Sequence, residues 1–173
     1  MKIKKKENKQ ICIKLEASVY NFSMKKNVII TIVSIVAVAG FGTLFTQLGM
    51  GWFDGLIKPK EWIPSFIIPI VWTVIYLLFV YVLLKWQSRQ PLSKENIILL
   101  AINGVLNVLW CLVFFTLNQL FLGNVIIIIN ALFALRLYLE ICKEDAMNGL
   151  IISLYPIWLC IATTLNIALW ILN

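Results

Sequence analysis

The sequence predicts an all-α, polytopic membrane protein that folds as a bundle of five transmembrane helices. Of its 173 residues, 61% are hydrophobic and only 13% are charged, and the mean hydropathy is +0.92. A soluble domain would carry roughly 25% charged residues. A soluble fold of this length also has too little interior to hide so much apolar surface. The composition therefore excludes a water-soluble enzyme domain, a disordered tail and a small disulfide scaffold.

Five apolar segments are separated by charges and turn residues. They cover residues 28–48, 66–86, 96–117, 120–142 and 147–172, and each exceeds the ~20 residues that a spanning helix needs. Lipid offers the backbone no hydrogen-bond partner, so a spanning segment must be a helix or a barrel strand. The short alternating pattern of barrel strands is absent. Only Asn118 and Gln119 divide the third segment from the fourth, which predicts a tight turn between antiparallel neighbours.

A basic segment, residues 1–26, precedes the first apolar segment and contains eight lysines and two glutamates. We expect it to be a disordered N-terminal extension of the membrane domain, residues 27–173. Next to a span, such a segment is better explained by attraction to anionic lipid than by nucleic acid. No nucleic-acid partner is therefore predicted. Met24-Lys25-Lys26 is itself a typical start of a membrane protein, so residues 1–23 could lie outside the native chain.

The distribution of Lys and Arg predicts the orientation of the bundle. With the N-terminus inside the cell, thirteen of them lie on the cytoplasmic side and two, Lys58 and Lys60, lie outside. The positive-inside rule favours this orientation in a bacterial cell membrane, with the C-terminus outside. One alternative is that the first segment, with Ala37-Val38-Ala39, is a cleaved signal peptide. The apolar pattern continues to Leu48, which favours a retained span.

The absence of histidine restricts the chemistry of any site. A chain with no His has no Ser-His-Asp or Cys-His catalytic centre, no His-ligated zinc and no proximal-His haem. The four cysteines show no C-x-x-C spacing, so they do not indicate a metal site or a redox motif. We therefore expect neither a metal nor a resident cofactor.

Three segments carry polar and aromatic residues at helical spacing, so each forms one face. These faces contain Trp72, Tyr76 and Phe79; Asn103, Asn107, Trp110 and Phe114; and Tyr155, Trp158, Ala162 and Asn166. Two interpretations stay open: an aromatic-walled pocket for a flat, mostly apolar ligand, or helix packing through asparagine hydrogen bonds. Trp86 and Trp170 lie near segment ends and are interpreted as interfacial anchors.

Several motifs of rare residues occur in order along residues 27–173. They are Gly51-Trp52-Phe53-Asp54-Gly55-Leu56-Ile57-Lys58-Pro59, Val71-Trp72-Thr73-Val74-Ile75-Tyr76, and Asn107-Val108-Leu109-Trp110 followed by Phe114-Phe115. Together with the fifth-segment residues they resemble the TspO/MBR family, the tryptophan-rich sensory proteins that include the translocator protein, or peripheral-type benzodiazepine receptor. The family's K-P-x-W-x-P-P pattern is altered here to Lys58-Pro59-Lys60-Glu61-Trp62-Ile63-Pro64.

The resemblance implies a five-helix bundle, often a homodimer in membrane lipid, that acts as a sensory or regulatory protein. It also implies a pocket near the first loop that binds a porphyrin or a similar flat apolar ligand. The ligand-binding positions that it implies are Phe53, Trp72, Tyr76, Asn107, Trp110, Cys111, Phe114, Tyr155, Trp158 and Ala162. Porphyrin propionates are anionic, so we expect Lys58 and Lys60 to form a rim that pairs with them.

Two other functions remain open. Some bacterial members of the family degrade protoporphyrin in light, and Trp72 and Trp158 match the tryptophans implicated in that chemistry. Light-dependent oxidation needs no classical catalytic motif, because an excited pigment, oxygen and an oxidisable indole suffice. The third function is transport of a porphyrin or lipid. Transporters often show internal repeats, broken helices or an intramembrane ionisable group, and the core segments show none of these convincingly.

Overall fold

The computed structural model describes residues 2–60, 63–64 and 66–173, with side chains described from Lys25 onward. Within these residues the chain is helical and contains no strand. The elements are α1 (Lys2–Asp54), α2 (Ile67–Arg89), α3 (Lys94–Cys111), a π-helical segment (Leu112–Thr116), α4 (Leu120–Glu144), α5 (Ala146–Ile152) and α6 (Leu154–Leu172). Helix α1 extends through the basic segment, for which we expected disorder. The division of the chain at residue 26 stays a prediction.

Among the residues that the structure describes, five helical stretches are long and apolar enough to cross a membrane. They are Lys25–Asp54, Ile67–Arg89, Lys94–Thr116, Leu120–Glu144 and Ala146–Leu172. The predicted all-α bundle of five spanning helices is therefore confirmed. The ends of the bundle are called the first-loop end, next to residues 55–66, and the α2–α3 end, next to residues 90–93.

The fifth span consists of two helices, α5 and α6, that meet at Ser153. Pro156 lies in the first turn of α6, where its missing backbone N–H costs no intrahelical hydrogen bond. The break occurs two residues before Tyr155, which is 3% exposed in the core of the bundle. The fifth span thus keeps its membrane-crossing length, but its break at Ser153 differs from the sequence-based expectation of segments without a broken helix.

The connection between α3 and α4 is as short as the sequence predicts. Asn118 adopts a left-handed conformation with φ 56°, which Asn tolerates better than most residues. The backbone N–H of Gln119 donates to the carbonyl of Val113 across 3.0 Å. The chain therefore reverses directly after the π-helical segment, and α3 and α4 pack against each other.

A glycine allows α1 to approach the π-helical segment closely. A Cβ built on Gly49 would lie 2.0 Å from the backbone oxygen of Phe115, so no other residue fits without a shift of the backbone. Close by, the hydroxyl of Thr116 donates to the carbonyl of Phe45 across 2.8 Å. These two contacts fix the position of α1 against the third span at the first-loop end.

The two ends of the bundle are held by polar contacts between distant parts of the chain. At the first-loop end, the Asn173 amide bonds to both the N–H (2.9 Å) and the carbonyl (3.1 Å) of Ile57. At the α2–α3 end, Asp145 caps α5 by accepting from the N–H groups of Met147 and Asn148. The same carboxylate pairs with Arg89 of α2 at 2.5 Å.

Two tryptophans that the sequence places near helix ends differ in how far they are exposed. Trp170 is 47% exposed and contacts Phe121, with ring centroids 5.5 Å apart, which fits an anchor at the membrane interface. Trp86 is only 3% exposed and belongs to the hydrophobic core. The prediction that Trp86 is an interfacial anchor is therefore wrong, because its position on α2 turns the indole toward the bundle.

Candidate functional site

A cavity of about 610 Å³ lies between α1, α2 and α3, and Tyr155 contributes to it from α6. This volume falls in the range of small-molecule sites. On α2 its lining extends from Trp72 to Gln87, which corresponds to about 22 Å along the helix at 1.5 Å per residue. The cavity is therefore long, with an aromatic end toward the first-loop end and a polar end toward the α2–α3 end.

The aromatic end is built around Trp72, which is half-buried. Its ring centroid lies 5.8 Å from that of Tyr76 in a stacked arrangement and 6.4 Å from that of Tyr155 in an edge-on arrangement. The indole of Trp110 stands 6.3 Å from it. These separations are those of favourable aromatic pairs. Trp72 therefore presents an indole to the cavity that neighbouring rings hold in place.

Behind this wall a hydrogen-bond network joins α3, α4 and α6. The hydroxyl of Tyr155 donates to Oδ1 of Asn103 across 2.8 Å, and Nδ2 of Asn103 donates to Oδ1 of Asn130 across 2.8 Å. On α2 the hydroxyl of Tyr76 donates to Oδ1 of Asn107 at 3.3 Å. Hydrogen bonds between buried polar groups fix the rotation of spanning helices. The network therefore orients the cavity residues as well as packing the bundle.

The predicted face of the third span is confirmed as an inward face, because its four members are all buried. The residues of the sequence-based site that line the cavity are Trp72, Tyr76, Asn107 and Tyr155. Cys111 is a near neighbour: a Cβ on Gly42 would lie 3.5 Å from its Sγ and 3.8 Å from the hydroxyl of Tyr76. Some residues of the predicted faces therefore line a cavity, whereas others are buried between helices.

Other predicted site residues lie elsewhere. Phe53 is buried at the first-loop end, where its ring centroid is 6.4 Å from that of Phe114 and 5.2 Å from that of Phe115. Trp158 is 6% exposed, and Ala162 is half-buried against the core. Among the described residues, neither Trp158 nor Ala162 lines the cavity. The expected pairing of Trp72 with Trp158 across one cavity is therefore not found.

The expected propionate rim is also absent from the cavity wall in the described part of the chain. Lys58 Nζ lies 4.8 Å from the ring centroid of Phe53 and 3.8 Å from Oδ1 of Asp54. Lys60 is exposed in the first loop. The cavity extends away from this loop, toward the α2–α3 end, so these lysines do not meet it. This differs from the expectation of a pocket near the first loop.

The polar end of the cavity contains residues outside the site that the sequence predicts. It is formed by Asn27, Thr31 and Ser34 of α1 and by Gln87 of α2. Their spacing is a signal that could have identified them, because positions 27, 31 and 34 share one face of a helix. On α2 the positions 76, 79, 83 and 87 do the same.

The cavity wall carries no charged side chain among the described residues. The same part of the chain contains no group of three or more Cys, Asp or Glu that could hold a metal ion. The wall offers an indole, two phenols, one phenyl ring, two hydroxyl groups, several amides and aliphatic surface. This chemistry suits a mostly apolar ligand that forms a few neutral hydrogen bonds.

Comparison with known proteins places the chain in a family. The profile of the TspO/MBR family matches residues 29–171. The chain is 28% identical to the tryptophan-rich protein TspO of Archaeoglobus fulgidus over 83% of its own length and 94% of that protein. It is 26% identical to TspO of Chlorobaculum tepidum (80% and 90%) and to protein CrtK of Rhodobacter capsulatus (70% and 78%). The profile match covers most of the sequence and all five spans, so this membrane protein belongs to the TspO/MBR family.

Proposed function

We propose that this protein is a membrane sensor that binds a porphyrin or a similar planar tetrapyrrole at the aromatic end of its cavity. The observation that carries the proposal is the placement of Trp72. Its half-buried indole lines the cavity and is held by Tyr76, Tyr155 and Trp110 at centroid distances of 5.8 to 6.4 Å. An indole fixed in this way can stack on a wide π-system at little entropic cost.

The polar groups around Trp72 support a metal-free ligand. Because the sequence has no histidine, the usual imidazole ligand for haem iron is missing. The phenol of Tyr76 and the amide of Asn107 are hydrogen-bonded to each other and line the same wall. Such neutral groups can orient pyrrole nitrogens or ring substituents without burying a charge.

Replacing Trp72 tests the proposal. Stacking of one aromatic side chain on a planar base contributes about 1–3 kcal/mol, so Trp72→Leu should weaken protoporphyrin binding roughly 5- to 150-fold. Trp72→Phe should retain most of the affinity. Binding is measured by titrating protoporphyrin into purified protein and following porphyrin emission, with Trp170→Leu as the matched control. Unchanged affinity in Trp72→Leu would leave helix packing as the role of these aromatic residues.

Light-dependent porphyrin degradation is the second candidate, favoured by the position of one oxidisable indole in the cavity wall. We expect illumination of the porphyrin complex in oxygen to bleach the porphyrin absorbance in the native chain and not in Trp72→Phe. Trp158, which lies outside the cavity lining, is expected to matter less than Trp72. Equal bleaching by free and bound porphyrin would exclude this activity.

A further inference from the structure

The polar end of the cavity is a separate feature from the aromatic end. Gln87 and Thr31 face each other across α2 and α1, and Nε2 of Gln87 donates to Oγ1 of Thr31 across 2.7 Å. Asn27 and Ser34 also line this end of the cavity, together with Pro91 and Leu92 of the α2–α3 connection. Gln87 lies about 22 Å along α2 from Trp72, at 1.5 Å per residue, so a flat ring stacked on Trp72 does not cover it.

Gln87 carries an unused hydrogen-bonding group. Its side chain is only 5% exposed, and its Oε1 is buried with no hydrogen-bond partner in the described part of the chain. Buried amide oxygens are normally paired, because in a region of low dielectric constant the loss of hydration is not compensated. A molecule that brings a donor to this end of the cavity would satisfy the oxygen.

The cavity wall carries no charge among its described residues, and this restricts which kind of group can donate a hydrogen bond to Gln87. No described residue of the lining is ionisable to a cation or an acid at neutral pH, so a carboxylate or an ammonium group would be buried without a partner. A neutral hydroxyl meets the requirement, because its O–H donates to an amide oxygen and its own oxygen can accept from a neighbouring hydroxyl.

The middle of the cavity indicates which chemical group the ligand carries next to its hydroxyl. Between the two ends the wall is mostly hydrocarbon and includes Ile35 and Val38 of α1, Ile75, Phe79 and Leu83 of α2, and Leu100 of α3. The amide of Asn103 also lines this stretch, but its oxygen and nitrogen are already hydrogen-bonded to Tyr155 and Asn130. This stretch offers no free polar side-chain group among the described lining residues, which favours a hydrocarbon chain over a polar one. The cavity therefore changes from polar through mostly aliphatic to aromatic along its length.

We propose that the α2–α3 end of the cavity is a binding subsite for the hydroxyl group of a long, uncharged, apolar alcohol. Oε1 of Gln87 accepts a hydrogen bond from the hydroxyl of the ligand, and Thr31 holds the amide of Gln87 in position. The hydrocarbon chain lies along the middle of the cavity toward Trp72. The subsite does not depend on the tetrapyrrole proposal, because its residues are distinct from those around Trp72.

A pair of probes that differ by one methyl group tests this. Pyrenyldecanol and its methyl ether have the same chain and fluorophore, but only the alcohol donates a hydrogen bond. A net hydrogen bond of ordinary strength predicts that the native chain binds the alcohol roughly 2- to 10-fold more tightly than the ether. Gln87→Met should abolish that preference and leave the affinity for the ether unchanged.

Controls separate a lost hydrogen bond from a damaged fold. Gln119→Met changes an exposed glutamine at the opposite end and should keep the preference. If Gln87→Met does not fold, Thr31→Val provides the second variant, since it removes the group that positions the amide, and we expect it to lower the preference. Equal binding of alcohol and ether by the native chain would mean that lipid-like molecules fill the cavity unselectively and would overturn the proposal. A preference that survives in Gln87→Met would also overturn it. Protoporphyrin titrated into separate, probe-free samples of the same variants reports on the aromatic end independently.

Discussion

The phenol of Tyr155 on α6 donates a 2.8 Å hydrogen bond to the side-chain oxygen of Asn103 on α3, and this bond joins two spans that are far apart in the sequence. Both side chains are buried, with exposures of 3% and 5%. Nδ2 of Asn103 in turn donates a hydrogen bond to Oδ1 of Asn130 on α4. Three spans therefore have their rotation fixed at one point behind the aromatic wall.

Tyr155→Phe removes the donor and keeps the ring. We expect the free energy of unfolding in detergent to fall by about 0.6–2 kcal/mol, the usual contribution of a hydrogen bond between spanning helices. The measurement is a denaturant titration followed by circular dichroism. Tyr81→Phe is the control, because Tyr81 is 51% exposed and loses an equivalent hydroxyl. Equal effects of the two changes would show that the network does not stabilise the bundle.

Gly49→Ala should destabilise the protein far more than an alanine elsewhere on α1. The added Cβ would lie 2.0 Å from the Phe115 carbonyl oxygen, so the helices must separate, at a cost of at least about 1–3 kcal/mol. Gly40→Ala meets nothing within 4 Å and should be neutral or slightly stabilising, because Ala favours helix over Gly. Thermal unfolding of the two variants in one detergent compares them. A native-like melting temperature for Gly49→Ala would contradict the close approach.

Truncation of Trp86 and of Trp170, the two tryptophans near helix ends, should reduce the free energy of unfolding by different amounts. Trp86→Ala leaves a cavity in the core and should cost about 3–5 kcal/mol of stability. Trp170→Ala removes a side chain that is 47% exposed and should cost much less. Chemical unfolding measured on both variants gives the comparison. If the losses are equal, Trp86 acts at the surface, as its position in the sequence suggested.

Acid should remove a stabilising charge at the α2–α3 end. The N–H of Asn148 is the main cause of a pKa for Asp145 below its ordinary 3.8, and Met147, Arg89 and Lys85 lower the pKa further. A lowered pKa in the folded state means that the carboxylate stabilises the fold above pH 3.8. That stability is lost as the pH falls through the folded-state pKa.

Asp145→Asn keeps a cap for α5 and removes the charge. We expect the variant to be less stable than the native chain at neutral pH, and the difference to shrink as the pH falls below 3.8. Melting temperatures recorded from neutral pH into the acid range test this. Glu95→Gln is the control, because Glu95 is exposed and has no ion pair within the described residues. A difference that does not change with pH would rule out the carboxylate as its source.

Local sequence determined the number of spans, their approximate ends and the faces that point inward. This was possible because lipid forces each apolar segment into a helix, and helical periodicity then assigns residues to faces. Asn103, Asn107 and Trp110 are buried together as their spacing predicts. The short turn at Asn118 and Gln119 was also predictable, because only these two residues separate the third and fourth apolar segments.

Only the tertiary structure decided which inward faces meet. Trp72 and Trp158 both lie on inward faces, yet among the described residues Trp72 lines the cavity and Trp158 does not. Trp86 and Trp170 both lie near segment ends, yet Trp86 is buried and Trp170 is exposed. Periodicity fixes directions within one helix, but the depth and rotation of one helix against another depend on contacts between segments distant in sequence. The approach of Gly49 to Phe115 is such a contact. It depends on the shape of both partners, which the sequence of either helix alone does not contain.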